Sequence, residues 1–325
     1  MTRILHLVDD TNPGGVTRYL DFLASSPASG LEHIVRPVSR TRPSAGGEAA
    51  DIIVSHLAVT WRGLPGLMAL RGAHPNTPLI HVEHSYSAGF VASNVTARRR
   101  FHTLLRTAYA LFDRVVAVSR GQGEWLRLRK LVRPAALSVI PPCVDLAPFR
   151  ALPAPRQRRV IGAVGRFDPQ KGFDLLIRAF RAVDDPALRL RLIGDGAERA
   201  ALEALAEGDA RISFHGFAAD PAAAMAECDV IAMPSRWEPY GLVALEAMAA
   251  GRVLLVGAAD GLADHAGSGA HAVRGAGTEV WRGALSSLAE IAPAPRPDGA
   301  EEACRAAWHA LARSVQEGAA PALAA

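Results

Sequence analysis

The side chains best placed to do chemistry are two carboxylates, two cations and one histidine. Glu238 and Glu246 flank the turn Pro239-Tyr240-Gly241-Leu242. Leu242, Leu245 and Met248 then recur at helical spacing up to Gly251, so a helix is predicted to start near Tyr240 or Gly241. Its free amides and positive dipole end suit a phosphate or sugar oxygen, and Gly241 allows a ligand close to the backbone. The two glutamates are not a glycosidase pair, because eight residues of helix span about 12 Å. A retaining pair needs about 5–5.5 Å. They have separate tasks instead. A helical side chain leans back toward the N-terminus, so Glu246 can accept from a vicinal diol such as a ribose. Glu238 then faces the group beyond the phosphate.

The cations are Arg166 and Lys171, five residues apart in the turn Gly165 to Gly172. Among 36 Lys and Arg there are only two lysines, Lys130 and Lys171, so a lysine here is a departure from the chain's habit. The pair could neutralise a leaving diphosphate. His84 directly follows the apolar run Leu79–Glu83. His81 and His84 do not suggest a metal, since three-residue spacing on a strand puts them on opposite faces and no third ligand is evident. For a lone histidine the ordinary role is hydrogen-bonded packing. Gly14-Gly15 opens a helix after the strand Ile4–Val8, but G-x-G-x-x-G is absent and a dinucleotide fingerprint is not supported.

These residues need strands and helices in alternation to hold them. Short apolar runs predict strands at Ile4–Val8, His33–Val38, Asp51–Ser55, Leu79–Glu83, Arg114–Val118 and Leu137–Ile140. A second series follows at Val160–Val164, Leu190–Ile193, Asp229–Met233 and Arg252–Val256. Helices fall between them, as at Trp61–Arg71 and Phe173–Ala182. Such alternation implies parallel sheets, with ligand groups at the carboxyl ends of strands. Residues 146–159, rich in Pro and Arg and without a period, read as an interdomain linker. The expected domains are residues 1–145 and 160–300, with a closing helix and a frayed tail over 301–325.

The stretch Glu238-Pro239-Tyr240-Gly241-Leu242 followed by Glu246 resembles the E-P-[FY]-G-L-x-x-x-E signature of family-four (group 1) glycosyltransferases of the GT-B fold. Gly165-Arg166 to Lys171-Gly172 is similar to that family's G-R-x-x-x-x-K-G diphosphate loop, and Gly14-Gly15 with Arg18 to its N-terminal G-G-x-x-R loop. Val139 to Asp145 resembles its V-I-P-N-G-V-D segment, with Pro142-Cys143 where Asn-Gly is usual. The resemblance spans roughly residues 1–260. It implies two Rossmann-like domains of parallel sheets facing a cleft, the acceptor on the first and the nucleotide sugar mainly on the second. It also implies retaining transfer of a sugar from a nucleotide-diphosphate donor to an acceptor hydroxyl, without cofactor or metal. By that resemblance Glu238 contacts the donor sugar, Glu246 the ribose, and the amides of Tyr240 to Leu242 the sugar and phosphate. Gly14 and Gly15 approach the phosphate, Arg166 and Lys171 stabilise the leaving group, and His84 contacts the sugar. The closing helix would cross back to the first domain. A nucleotide-sugar epimerase and an inactive partner subunit are the alternatives on the same scaffold.

Composition bounds the rest. At 325 residues and 50% hydrophobic the chain can bury two cores, and it holds no repeat. The N-terminal apolar run is too short for a signal peptide, and no run approaches the ~20 residues of a membrane span. Three scattered cysteines argue against a disulfide framework, and a reducing cytoplasm fits best. Residues 1–150 hold 18 Lys+Arg against 10 Asp+Glu, or +8, and the remainder 18 against 22, or −4. Much of the basic excess lies in an amphipathic stretch over residues 97–112, which suits either an anionic membrane surface or a solvated helix face on its own domain. Nucleic acid is not expected as a partner, since no aromatic platform accompanies the arginines. The family resemblance, not composition, implies a lipid-linked or glycan acceptor in envelope or exopolysaccharide synthesis, with a peripheral position at the inner membrane face as a variant of the cytoplasmic one.

Overall fold

The computed structural model describes residues 1–25, 30–275 and 277–318. The chain forms two compact units, Met1–Val144 with Gly299–Ala325, and Asp145–Asp298. The first unit runs β1 (Thr2–Val8), α1 (Gly15–Ala24), β2 (Leu31–Pro37), β3 (Ile52–Ser55), α2 (Leu64–Ala73), β4 (Leu79–Glu83), α3 (Ala88–Asn94), α4 (Arg98–Tyr109), β5 (Arg114–Ala117), α5 (Arg120–Leu128) and β6 (Leu137–Val139). The second runs α6 (Ala147–Arg150), β7 (Val160–Val164), α7 (Phe173–Arg181), β8 (Arg189–Ile193), α8 (Arg199–Ala206), β9 (Ile212–His215), α9 (Pro221–Ala226), β10 (Val230–Met233), α10 (Leu242–Ala249), β11 (Val253–Gly257), α11 (Leu262–Gly267), β12 (His271–Val273) and α12 (Thr278–Ser286). The last helix, α13 (Ala300–Gly318), belongs to the first unit.

Both sheets are six-stranded and parallel, ordered β2-β1-β3-β4-β5-β6 and β12-β11-β10-β7-β8-β9. Their central strands are buried at every residue of β3, β4, β10 and β11, as in a sheet covered on both faces. That is why these runs are apolar without alternation. In each sheet the chain starts on an interior strand, winds outward one way and then the other. The direction reverses between β1 and β3 in the first unit and between β7 and β10 in the second. At such a switch point the loops leaving neighbouring strands diverge and open a crevice at the carboxyl ends.

Two expectations shift. The helix expected from Trp61 begins at Leu64, because Gly63 and Leu64 amides bond back to the Thr60 carbonyl and make Thr60–Gly63 a turn. The stretch read as a linker carries the helical turn α6, with Leu146 and Phe149 buried and the Pro153 carbonyl accepting from Arg252 Nη1 at 2.7 Å. Its Pro and Arg content hid this attachment to the second unit. The tail expected to fray lies, beyond residue 318, outside the described residues.

Helix α13 is held in the first unit by Trp308, 1% exposed, whose Nε1 donates to the Tyr19 hydroxyl at 2.5 Å. Replacing Trp308 by Ala is expected to destabilise this unit by about 3–5 kcal/mol, the usual cost of emptying a buried aromatic site. A urea-denaturation midpoint unchanged by Trp308→Ala would contradict the packing.

Candidate functional site

In the second unit the switch point sets the loop after β7 beside the loop after β10. Backbone fit brings them into contact: Gly172 has φ +66°, and a Cβ there would lie 2.4 Å from the Pro234 carbonyl oxygen. Asp168 caps the turn by accepting from the Gln170 amide at 3.0 Å. Arg236 then fastens one loop to the other. Its amide donates to the Gln170 carbonyl at 2.8 Å, Nη1 to the Pro169 carbonyl at 2.7 Å and Nη2 to Asp174 Oδ2 at 2.8 Å. Burial alone would raise the Asp174 carboxyl, yet hydrogen bonds from Arg236 and Arg178 hold it below the usual carboxylate range.

Across this junction Lys171 Nζ meets Glu238 Oε2 at 2.6 Å, with side chains 18% and 10% exposed. Ser235 Oγ donates to the same oxygen at 3.4 Å, and the Glu238 amide donates to Asp260 Oδ2 at 3.3 Å. Arg166 is exposed on the β7 loop, its side chain without a hydrogen bond or ion pair among the described residues. The structure thus joins Lys171 to Glu238 and leaves Arg166 reaching into solvent beside them.

Gly241 caps α10 in the left-handed region at φ +91°, and a Cβ would come within 3.0–3.2 Å of Leu262, Glu238 and Met233. Only glycine turns the chain there without strain. The first amides of α10 therefore open onto the switch point. Tyr240 is steadied by His265, whose Nε2 lies 3.1 Å from the Tyr240 carbonyl oxygen and whose ring centroid is 4.7 Å from the tyrosine's. Glu246 is 1% exposed, in a helix whose residues Ala244 to Ala249 are all buried. An ordinary surface glutamate would not be so buried. Arg236, Asp260 and His265 were missed by sequence reasoning. Arg236 lies inside the signature stretch, but nothing in spacing reveals a partner 62 residues away.

In the first unit, the loop after β4 is built on Glu83. This buried carboxylate accepts from the Ser85 amide at 2.7 Å, the Tyr86 amide at 2.8 Å and the Tyr109 hydroxyl at 2.6 Å, with His81 Nε2 at 3.3 Å. Burial would raise its pKa, and these bonds hold it below the usual range instead. Gln122 Nε2 adds bonds to the Glu83 and Tyr86 carbonyls. His84, so held at the strand end, has Nε2 2.8 Å from His56 Nδ1. Gly14 has ordinary extended backbone, φ −174°, and a Cβ would meet nothing nearer than 3.7 Å, so packing within its unit does not require glycine. Gly15 is the first residue of α1. Helix α4 buries Leu104, Leu105, Ala108 and Tyr109 in its own unit and leaves Arg98, Arg99 and Arg100 exposed. Among the described residues no group of three or more His, Cys, Asp or Glu is placed to hold a metal ion, and no helix is long and apolar enough to cross a membrane.

Two parallel six-stranded sheets with this order are the GT-B architecture. A structure of Anabaena Alr3699/HepE in complex with UDP-glucose superposes with a TM-score of 0.69 over 98% of both chains at 20% identity. The Glycosyltransferase Family 4 profile matches residues 13–148 and the Glycosyl transferases group 1 profile residues 158–289. The chain belongs to this glycosyltransferase family. A D-inositol 3-phosphate glycosyltransferase of Actinosynnema mirum is 29% identical over 89% of this chain and 77% of the relative. A protein of that name from Segniliparus rotundus is 30% identical over 57% of this chain and 46% of the relative.

Burial pushes His84 down to about 4, with Glu83 opposing and His81 adding. Burial, with His309 beside it, does the same to His33. His6 and His56 are buried well below the ordinary 6.5. A depressed folded-state pKa contributes full stability above the unfolded value and loses it as pH falls. The unfolding free energy is therefore expected to fall by a few kcal/mol as the pH is lowered from 6.5 to about 4. Urea denaturation across that range checks it, and a flat profile would contradict it.

Proposed function

We propose that this chain is a retaining, metal-independent hexosyltransferase that moves a sugar from a nucleoside-diphosphate donor to an acceptor hydroxyl. The observation that carries this is the Lys171–Glu238 pair at the open amide end of α10, with Glu246 buried one to two turns inside. A diphosphate at the helix end meets the dipole, Lys171 and Arg166 together, and its charge grows as the bond to the sugar breaks. Glu238, anchored by Lys171 and by its own amide on Asp260, is the acceptor for hydroxyls of the donor sugar. Glu246 accepts from the ribose diol. The Anabaena structure with UDP-glucose supports a nucleotide sugar as the donor class.

In the transfer step the acceptor oxygen bonds to the anomeric carbon as the carbon–phosphate-oxygen bond breaks. The acceptor proton passes to the departing diphosphate on the same face. By the family resemblance His84 contacts a sugar hydroxyl, and Gly14 and Gly15 admit a phosphate oxygen to the backbone. The acceptor is a glycan or lipid-linked hydroxyl of envelope or exopolysaccharide synthesis, and the work is done in the cytoplasm or at the inner membrane face. Because α4 spends its apolar side on its own unit, contact of Arg98, Arg99 and Arg100 with an anionic membrane would be electrostatic and lost at high salt.

Assays of sugar release from a panel of nucleoside-diphosphate sugars test this reading. Lys171→Ala and Glu238→Ala are expected to lower kcat about 10²- to 10³-fold with circular dichroism unchanged. Glu246→Ala is expected to weaken nucleotide binding at least about tenfold, and turnover is expected to survive EDTA. Wild-type turnover in folded Lys171→Ala and Glu238→Ala proteins would overturn the assignment.

A further inference from the structure

Four imidazoles are strung across the first sheet. His84 Nε2 lies 2.8 Å from His56 Nδ1, His56 Nε2 lies 2.8 Å from His6 Nδ1, and His6 Nε2 lies 2.9 Å from His33 Nδ1. The string is diagonal. His33 stands opposite Ile4 near the start of edge strand β2, His6 opposite Val54, His56 just past β3 and His84 past the carboxyl end of β4. Successive ring centroids are each 5.1 Å apart. His6 and His56 are buried, and His33 and His84, at the two ends, are half-buried.

A neutral imidazole carries one N–H and one bare nitrogen. Each of the three contacts needs one hydrogen, so only two neutral patterns satisfy the string. In one, every ring is protonated at Nε2, Nδ1 of His84 is a bare acceptor and Nε2 of His33 holds the outermost hydrogen. In the other, every ring is protonated at Nδ1, and Nδ1 of His84 is a donor. A ring of the wrong tautomer sets N–H against N–H or lone pair against lone pair in a buried place. That costs enough to disfavour the mixed pattern by at least about tenfold.

The neighbours leave the string intact. From α13, Trp308 lies edge-on to His6 and His33, but its Nε1 is spent on the Tyr19 hydroxyl, and His309 stands near His33. From α1, the Tyr19 ring lies 6.1 Å from that of His84. From β4, Glu83 and His81 flank His84. Burial keeps the inner rings neutral, and the four rings form a line rather than converging on a metal.

We propose that these four histidines are a tautomeric relay in which His33, His6 and His56 position the proton of His84 and so decide whether its Nδ1 accepts or donates at the carboxyl end of β4. A proton taken up at His84 Nδ1 is balanced by one released from His33 Nε2. Between them the hydrogens on Nε2 of His84, His56 and His6 each pass to Nδ1 of the next ring, and no charge stays buried. The relay stands on this unit alone, while its use rests on the proposed contact of His84 with a sugar hydroxyl, for which the acceptor pattern makes Nδ1 the base and the donor pattern makes it the hydrogen-bond donor.

Nitrogen-15 NMR of the histidine-labelled, ligand-free chain at neutral pH reads each tautomer directly. In the wild type, His84, His56 and His6 are expected to share one tautomer, and a mismatch among them would overturn the relay. His33→Asp offers His6 only an acceptor and is expected to drive His84 to the Nε2–H form. His33→Lys offers only a donor and drives the Nδ1–H form. The tautomer ratio at His84 should differ at least about tenfold between the two. An identical ratio in both variants, with backbone amide spectra unchanged, would also overturn the relay, and the wild-type comparison decides if either variant misfolds. The sugar contact fails separately, if His84→Ala keeps wild-type turnover while the tautomers remain coupled.

Discussion

The junction of Lys171 with Glu238 is the contact on which the proposed chemistry of the second unit depends. It exists because the sheet reverses direction between β7 and β10. Two loops that are 67 residues apart in sequence leave neighbouring strands at the same end and are drawn together by Gly172 against Pro234 and by the three bonds of Arg236. With the loops fixed, a 2.6 Å ion pair can be held ready without ordering long side chains at each encounter with ligand. Partial burial keeps water from screening it.

The same topology acts differently in the first unit. There the reversal between β1 and β3 brings the Gly14-Gly15 turn and His56 to neighbouring strand ends, and β4 adds His84. The buried centre of the first unit's histidine string is neutral, in contrast with the charged pair of the second. Glu83 beside it is buried as a carboxylate and is saturated with donors from the backbone, Tyr109 and His81. Helix α13 closes over this region through Trp308, so the end of the chain shapes the surroundings of residues from its start.

Much of the fold was legible because buried parallel strands write themselves as short apolar runs, and among the described strands all but β9 and β12 followed from that alternation. The start of α10 was legible because Gly241 and the Leu242-Leu245-Met248 spacing are local signals. What stayed hidden was lateral. His33, His6 and His56 sit on separate strands, and only the sheet order and register reveal that they line up with His84. Arg236 looked like any exposed loop arginine, and its role rests on three acceptors from the β7 side. The run Leu146–Arg159 misled for the opposite reason: proline and arginine imitate a solvated linker, while Leu146 and Phe149 are in fact buried.

The central claim is that the crevice at the β7–β10 reversal is a nucleoside-diphosphate site that needs no metal. Isothermal titration of the wild-type chain with uridine, guanosine and adenosine diphosphates, in buffer containing EDTA, tests it directly. The account predicts saturable binding with a clear preference for one base, unchanged by the chelator. Failure of all three nucleotides to bind, or binding that disappears when EDTA is added, would contradict it.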